Sequence, residues 1–173
     1  GSGTHATTKG CLLAIQNASR SKRHIRRILD LGCGSGILSM AAKSLNPSAA
    51  VMAADYDKIS VETTRQNWHI NQYPKKAFFA LHSDGFSHER LRGKQKFDLI
   101  VANILAKPLK QFAPLITQNL ASNGRVILSG LLTSQMRDIR AIYRHHHLFV
   151  MQHIQIQAWS TLLLAPKTNY TKR

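Results

Sequence analysis

Asp30-Leu31-Gly32-Cys33-Gly34-Ser35-Gly36 decides the fold. Ahead of it, Arg27–Leu31 is a short apolar run that reads as a buried strand. Behind it, Ile37, Leu38, Ala41, Ala42 and Leu45 repeat with helical period, and Asn46-Pro47 stops them. A glycine loop between strand and helix lets backbone turn sharply and approach a ligand closely. Open α/β sheets bind ligands at that edge, beyond the carboxyl ends of the strands. The dinucleotide fingerprint would put a third glycine at position 37, where Ile37 stands. The spacing Gly32, Gly34, Gly36 suits a ligand without phosphates.

The same alternation continues outward. Ala50–Ala54, Ala77–Leu81, Phe97–Ala102 and Val126–Ser129 read as strands, and Lys58–Gln72 as a helix. Pro108 opens another helix with Leu109, Phe112, Ile116 and Leu120 on one face, and Pro114 would kink it. Asn123-Gly124 is a turn before the strand at Val126. Met136, Ile139 and Tyr143 mark a further helix. Phe149–Ile156 and Trp159–Ala165 are two strands with a tight link, hence antiparallel. The expected fold is a doubly wound α/β sheet, mostly parallel, with an antiparallel pair at its C-terminal edge.

The 173 residues, 43% hydrophobic, make one domain over 1–166 and a polar tail over 167–173. Leu99–Ala102 and Leu162–Ala165 are far too short to cross a bilayer, and no leader stands at the start. Cys11 and Cys33 form neither a disulfide framework nor a zinc set, so a cytoplasmic protein is expected. Lys and Arg number 24 against eight acids, a net charge of +16. That attracts polyanions such as RNA, or it is a solvated surface, or half of a larger protein whose other half carries the acids. Arg20, Lys22, Arg23, Arg26 and Arg27 form one cluster, and Arg90, Arg92, Lys94 and Lys96 another. Neither is interleaved with aromatics, so non-specific RNA contact is the reading they support, not base stacking.

The few acids fall at telling places. Asp55 ends the second strand, where a carboxylate accepts both hydroxyls of a ribose. Asp84, just past the third, could accept from an adenine amino group with Phe86 or a neighbour against the ring. Asp30 lies beside the glycine loop, where an ammonium could be met. Asp98 is read as a structural cap. Caps and solvated turns are common uses of each Asp alone. Asp30, Asp55 and Asp84 at successive strand ends form a constellation.

Gly1-Ser2-Gly3-Thr4-His5-Ala6-Thr7-Thr8, the glycine loop, Asn103-Ile104-Leu105-Ala106-Lys107-Pro108-Leu109 and Leu128-Ser129-Gly130-Leu131 together resemble the bacterial ribosomal protein L-eleven methyltransferase family. The resemblance covers nearly the whole chain. It implies a seven-stranded, Rossmann-like class I methyltransferase sheet with its last strand antiparallel. It implies S-adenosyl-L-methionine as cofactor, with Thr8, Gly32, Asp55 and Asn103 on cofactor-contacting positions, and Gly34, Gly36, Asp30 and Asp84 around them. The implied substrate is the amino groups, on lysine side chains and at the N-terminus, of a large-subunit ribosomal protein. The family's usual Gly-Thr-Gly is Gly1-Ser2-Gly3 in this sequence. Its N-terminal substrate-recognition domain has no counterpart, so the chain reads as the catalytic part alone, binding cofactor but methylating poorly.

Methyl transfer needs nucleophile, methyl and sulfur held in line. Asn103 ends the fourth strand, where related folds grip a target nitrogen. No aromatic follows it, which favours an aliphatic amine over a planar base; a strand-end cap is the plainer reading. His5 is a proton acceptor or a loop histidine. Thr4 and His5 are expected near the amine, in a Thr-rich leading segment over Gly1–Thr8 that closes over the cofactor before a helix carrying Leu12, Leu13 and Ile15. His145-His146-His147 reads as a helix C-terminus, not a metal site. Trp68 and Trp159 read as packing, and Cys33 as part of the loop. The competing functions are RNA or small-molecule methylation on the same fold, and a non-catalytic basic module.

Overall fold

A computed structural model describes residues 5–20, 24–92 and 96–167. Thr4, the cluster residues Lys22, Arg23 and Lys94, and the end of the polar tail lie outside them. The elements run α1 (Ala6–Arg20), β1 (Arg27–Leu31), α2 (Ile37–Leu45), β2 (Ala50–Asp55), α3 (Lys58–Ile70), β3 (Phe78–His82), β4 (Phe97–Asn103), α4 (Ala106–Asn119), β5 (Leu120–Leu132), α5 (Met136–His145), β6 (Leu148–Ile156) and β7 (Trp159–Pro166). They form one seven-stranded sheet in the order β3-β2-β1-β4-β5-β7-β6. All pairings are parallel except those of β7, which runs antiparallel to both β5 and β6.

The sheet is apolar on both faces because its side chains alternate. Ile28, Leu99, Val101, Ile127 and Leu163 pack on α1, α2 and α3. Leu29, Ile100, Ala102, Val126, Leu128, Leu162 and Leu164 pack on α4 and α5. Burying each such side chain contributes about 1.5–3 kcal/mol. Trp68 is core, stacked on Phe78 at 3.8 Å.

Differences from the expected elements have local causes. The third helix stops at Ile70, since Gln72 takes φ 57. Ala77, with φ 66, is the bend before β3. Pro108 is the third residue of α4, where its missing N–H has no intrahelical partner to lose. Pro114 lies inside α4, which continues to Asn119. Asn123-Gly124 does not precede a separate strand. Phe97 pairs with Leu120 and Leu99 with Arg125, so residues 121–124 bulge out within β5. Thr7 and Thr8 belong to the first turn of α1 and are buried, not part of a loose leading segment. Leu13 is exposed on α1, while Ile15 is fully buried. No helix of the described residues is long and apolar enough to cross a membrane.

Candidate functional site

β1 is followed by β2 on one side and β4 on the other, so the chain reverses its winding between β1 and β4. The crevice at such a reversal is where these sheets bind ligands. The glycine loop fills its floor with left-handed backbone: φ is 77° at Gly32, 53° at Gly34 and 79° at Gly36. A Cβ on Gly32 would lie 2.3 Å from Ile104 Cγ2, so the loop can pass under the β4 end only without a side chain.

The loop is pinned from several sides. The Gly32 N–H donates to the Ala54 carbonyl at 2.8 Å, and the Gly34 N–H to Asp55 Oδ2 at 2.9 Å. From α3, Thr64 Oγ1 donates to the Gly34 carbonyl at 2.9 Å and Asn67 Nδ2 to the Ser35 carbonyl at 2.8 Å. Nothing in the sequence singles out Thr64 and Asn67; only their helical spacing could have placed both on one face. The Cys33 thiol is buried and pushed up to about 12, by desolvation first and then by the charge of Asp30. It stays protonated and takes no part as a nucleophile.

Asp55 Oδ2 accepts from Gly34 and Oδ1 from the Asp57 N–H at 3.0 Å. Each oxygen accepts one recorded bond and has capacity for another, and Asp55 lines a cavity of about 380 Å³ with Gly32, Tyr56, Asp84, Ile104 and Phe112. Asp84 is exposed on its wall. Phe86 is not on that wall. It is buried in the core, edge-on to Phe112 at 6.3 Å, and Phe112 supplies the ring instead. Asp30 is only 1% exposed; Oδ2 accepts from Ser39 Oγ at 2.6 Å, and Oδ1 is buried with no hydrogen-bond partner. Desolvation, reinforced by the nearby charge of Asp55 and partly offset by Ser39, raises its carboxyl to about 6. Asp98 sits at the opposite end of the sheet and caps the Arg26 and Arg27 N–H groups at 2.8 and 2.9 Å.

A second cavity, about 310 Å³, adjoins the first. His5, Thr8, Asn103, Gly130 and Trp159 line it, and Ile104 and Leu105 belong to both cavities. His5 Nδ1 lies 2.8 Å from Thr7 Oγ1, and its ring meets Trp159 edge-on at 5.4 Å. Gly130 has φ 79, and a Cβ there would lie 2.4 Å from the Ile104 carbonyl, so this glycine lets β5 close against the Asn103 turn. Trp159 packs against His5 and also lines this cavity. It joins Asn103 in the lining from the start of β7, 56 residues later in the chain (159 − 103), and no local pattern around Asn103 announces it. The structure therefore brings His5, Thr8 and Asn103 to one cavity and Gly32, Asp55 and Asp84 to its neighbour. Asp30 stays behind the loop. His145 ends α5, and the described residues contain no group of three His, Cys, Asp or Glu placed to hold a metal.

Residues 1–167 match the family described as "Ribosomal protein L11 methyltransferase (PrmA)". A relative of the same description from Bradyrhizobium diazoefficiens is 41% identical over 165 residues, which are 95% of this chain and 55% of that protein. The chain thus spans about half the length of the curated relatives it matches. Among solved structures, a ribosomal protein L11 methylase from Lactobacillus delbrueckii subsp. bulgaricus superposes with a TM-score of 0.83 at 28% identity, over 95% of this chain and 81% of that one. A 16S rRNA N2 G1207 methyltransferase from T. thermophilus, in complex with AdoMet and guanosine, shares the fold at 22% identity and a TM-score of 0.76, over 94% of this chain and 43% of that one. With its sheet order, its glycine loop and these matches in agreement, the chain belongs to the ribosomal protein L11 methyltransferase family.

Proposed function

We propose that this chain is the catalytic domain, over residues 1–166, of an S-adenosylmethionine-dependent enzyme that methylates amino groups, on lysine side chains or at the N-terminus, of a large-subunit ribosomal protein. One observation carries the reading: two cavities at the carboxyl edge of the sheet share the wall Ile104–Leu105. The first suits the cofactor's nucleoside; the second, lined by the expected cofactor contacts Thr8 and Asn103, suits its methionine end and the incoming amine.

The residues suit the cofactor. Gly32 lines the first cavity, where Ile104 packs over it, while Gly36 is packed against Thr64 and shapes the loop from behind; Asp55 has acceptor capacity left for two ribose hydroxyls. Asp84 is placed for the adenine amino group and Phe112 for the ring face. The orphaned Asp30 Oδ1 is a buried acceptor lacking a donor, as a carboxylate held for an ammonium would be. Bound S-adenosylmethionine supplies a methyl group on a positively charged sulfur. The chain's part is positioning. Asn103 accepts hydrogen bonds from the target nitrogen, Trp159 takes the aliphatic stem and its partial charge, and Ile104 and Leu105 exclude water. An amine held against this apolar wall, beside a cation, loses its proton more readily than in water. His5, fixed by Thr7, is placed to accept that proton.

Incubating large ribosomal subunits with the chain and methyl-labelled S-adenosylmethionine tests the substrate class. Acid hydrolysis should release the label in methylated lysine or an N-methylated terminal residue. Label confined to RNA nucleosides would contradict the reading in favour of a nucleobase target.

A further inference from the structure

A larger cavity lies away from the two just considered. It encloses about 620 Å³ between α5 and the outermost strand, β6, and is lined by Arg137, Arg140 and Arg144 over a floor that includes Met136, Leu148 and Phe149. The arginines recur at i, i+3 and i+7, so they stand along one face of α5, over about 10 Å of its axis. All three are exposed. None of the three takes part in the ion pairs Arg65–Glu62 and Lys110–Asp138. The acid of α5, Asp138, is already held by Lys110 at 2.9 Å, and no carboxylate lines the cavity.

We infer that this groove binds the phosphate backbone of an RNA strand. Three guanidinium forks in a row, unneutralised, match a row of phosphates better than lysines would, because each can meet two oxygens at once. The chain's net charge of +16 draws a polyanion toward it. Phe149 adds an aromatic ring to the groove's basic lining, on which a base or ribose can lie. That ring comes from the next strand and not from the arginine helix, so no basic run in the sequence exposes the combination. Because α5 follows the carboxyl end of β5, Arg137 stands nearest the catalytic edge and Arg144 farthest from it. A strand in the groove would run toward the edge where Asn103 lies. The groove would hold RNA whichever amine is methylated.

The test is fluorescence anisotropy of a short labelled oligouridylate, titrated at several salt concentrations. The variants are Arg137→Ala/Arg140→Ala/Arg144→Ala and a control of equal charge loss at the opposite edge of the sheet, Lys58→Ala/Lys75→Ala/Lys76→Ala. Circular dichroism establishes that both fold. The arginine variant should bind about tenfold or more weakly, and its slope of log affinity against log salt should fall by about 2, at roughly 0.7 for each phosphate no longer neutralised. The control should change both far less. Equal losses in the two variants would mean attraction by net charge alone and would overturn the groove. So would displacement of the oligouridylate by polyglutamate as readily as by unlabelled oligouridylate, which would assign the groove to acidic protein segments.

Discussion

Asp30 shows how a single side chain is set against the stability of the fold. Its carboxyl is buried, half-satisfied by Ser39, and raised to about 6 from an ordinary value of 3.8. A raised pKa means that the folded chain holds the proton more tightly than the unfolded one. The stabilisation from that proton is fully present below the unfolded value and is lost as pH rises through about 6. At neutral pH the folded protein therefore carries an ionised carboxylate at a cost on the order of 2–3 kcal/mol. Asp30→Asn removes the cost. In urea unfolding it should be more stable than the parent at about pH 8, by up to that amount, with the difference vanishing near about pH 4. The same variant should bind S-adenosylhomocysteine more weakly, because the acceptor proposed for its ammonium is gone. A variant less stable than the parent at neutral pH would contradict this assignment. The sequence placed Asp30, Asp55 and Asp84 at one edge because each directly follows or ends an apolar run. It could not distinguish Asp30, which is buried, from Asp84, which is exposed. That difference is made by Ser39 and the α2 packing above it.

At the scale of elements, short continuous apolar runs made the strands legible, and the tight link at Gln157-Ala158 made the antiparallel pair legible. Less legible was whatever depends on one element meeting another. Thr64 and Asn67 look like ordinary polar positions of α3 until the glycine loop lies across them. Phe112 replaces Phe86 on the cavity wall because α4 turns its ring over the β3 end while Phe86 enters the core. The leading segment is the clearest case. Glycines and threonines suggest a mobile flap, yet Thr7 and Thr8 are buried in α1, whose turn is tied to β5 and β7. Ser129 Oγ donates to the Thr7 carbonyl at 3.3 Å and lies 2.7 Å from Thr161 Oγ1. Gly10 is needed there, since a Cβ would fall 2.3 Å from Thr161 Oγ1. Amides from Lys9 onward, which are bonded within α1, should therefore resist hydrogen exchange in the cofactor-free chain. Added S-adenosylhomocysteine should raise protection chiefly in residues 32–36. Rapid exchange across residues 9–14 without cofactor would contradict the tying of α1 to β5 and β7; Gly1–Thr4 of the expected flap lie outside the described residues.

At the scale of the whole molecule, the proposed function divides labour across the wall Ile104–Leu105. β1 and β2 lead into the cavity proposed for the nucleoside, and α1, β4, β5 and β7 border the one proposed for the amine. The antiparallel return of β7 matters because it pairs Trp159 with Leu132 and so brings it to the cavity that Asn103 lines. The measurement that tests this division most directly is a calorimetric titration of S-adenosylhomocysteine into the parent chain, Asp55→Ala and Trp159→Ala. Asp55→Ala should lose about 1.5–3 kcal/mol of binding free energy, the range for hydrogen bonds to a charged group. Trp159→Ala should bind as the parent does, because its ring faces only the second cavity. Unchanged affinity in Asp55→Ala, or a comparable loss in Trp159→Ala, would contradict the assignment of the two cavities.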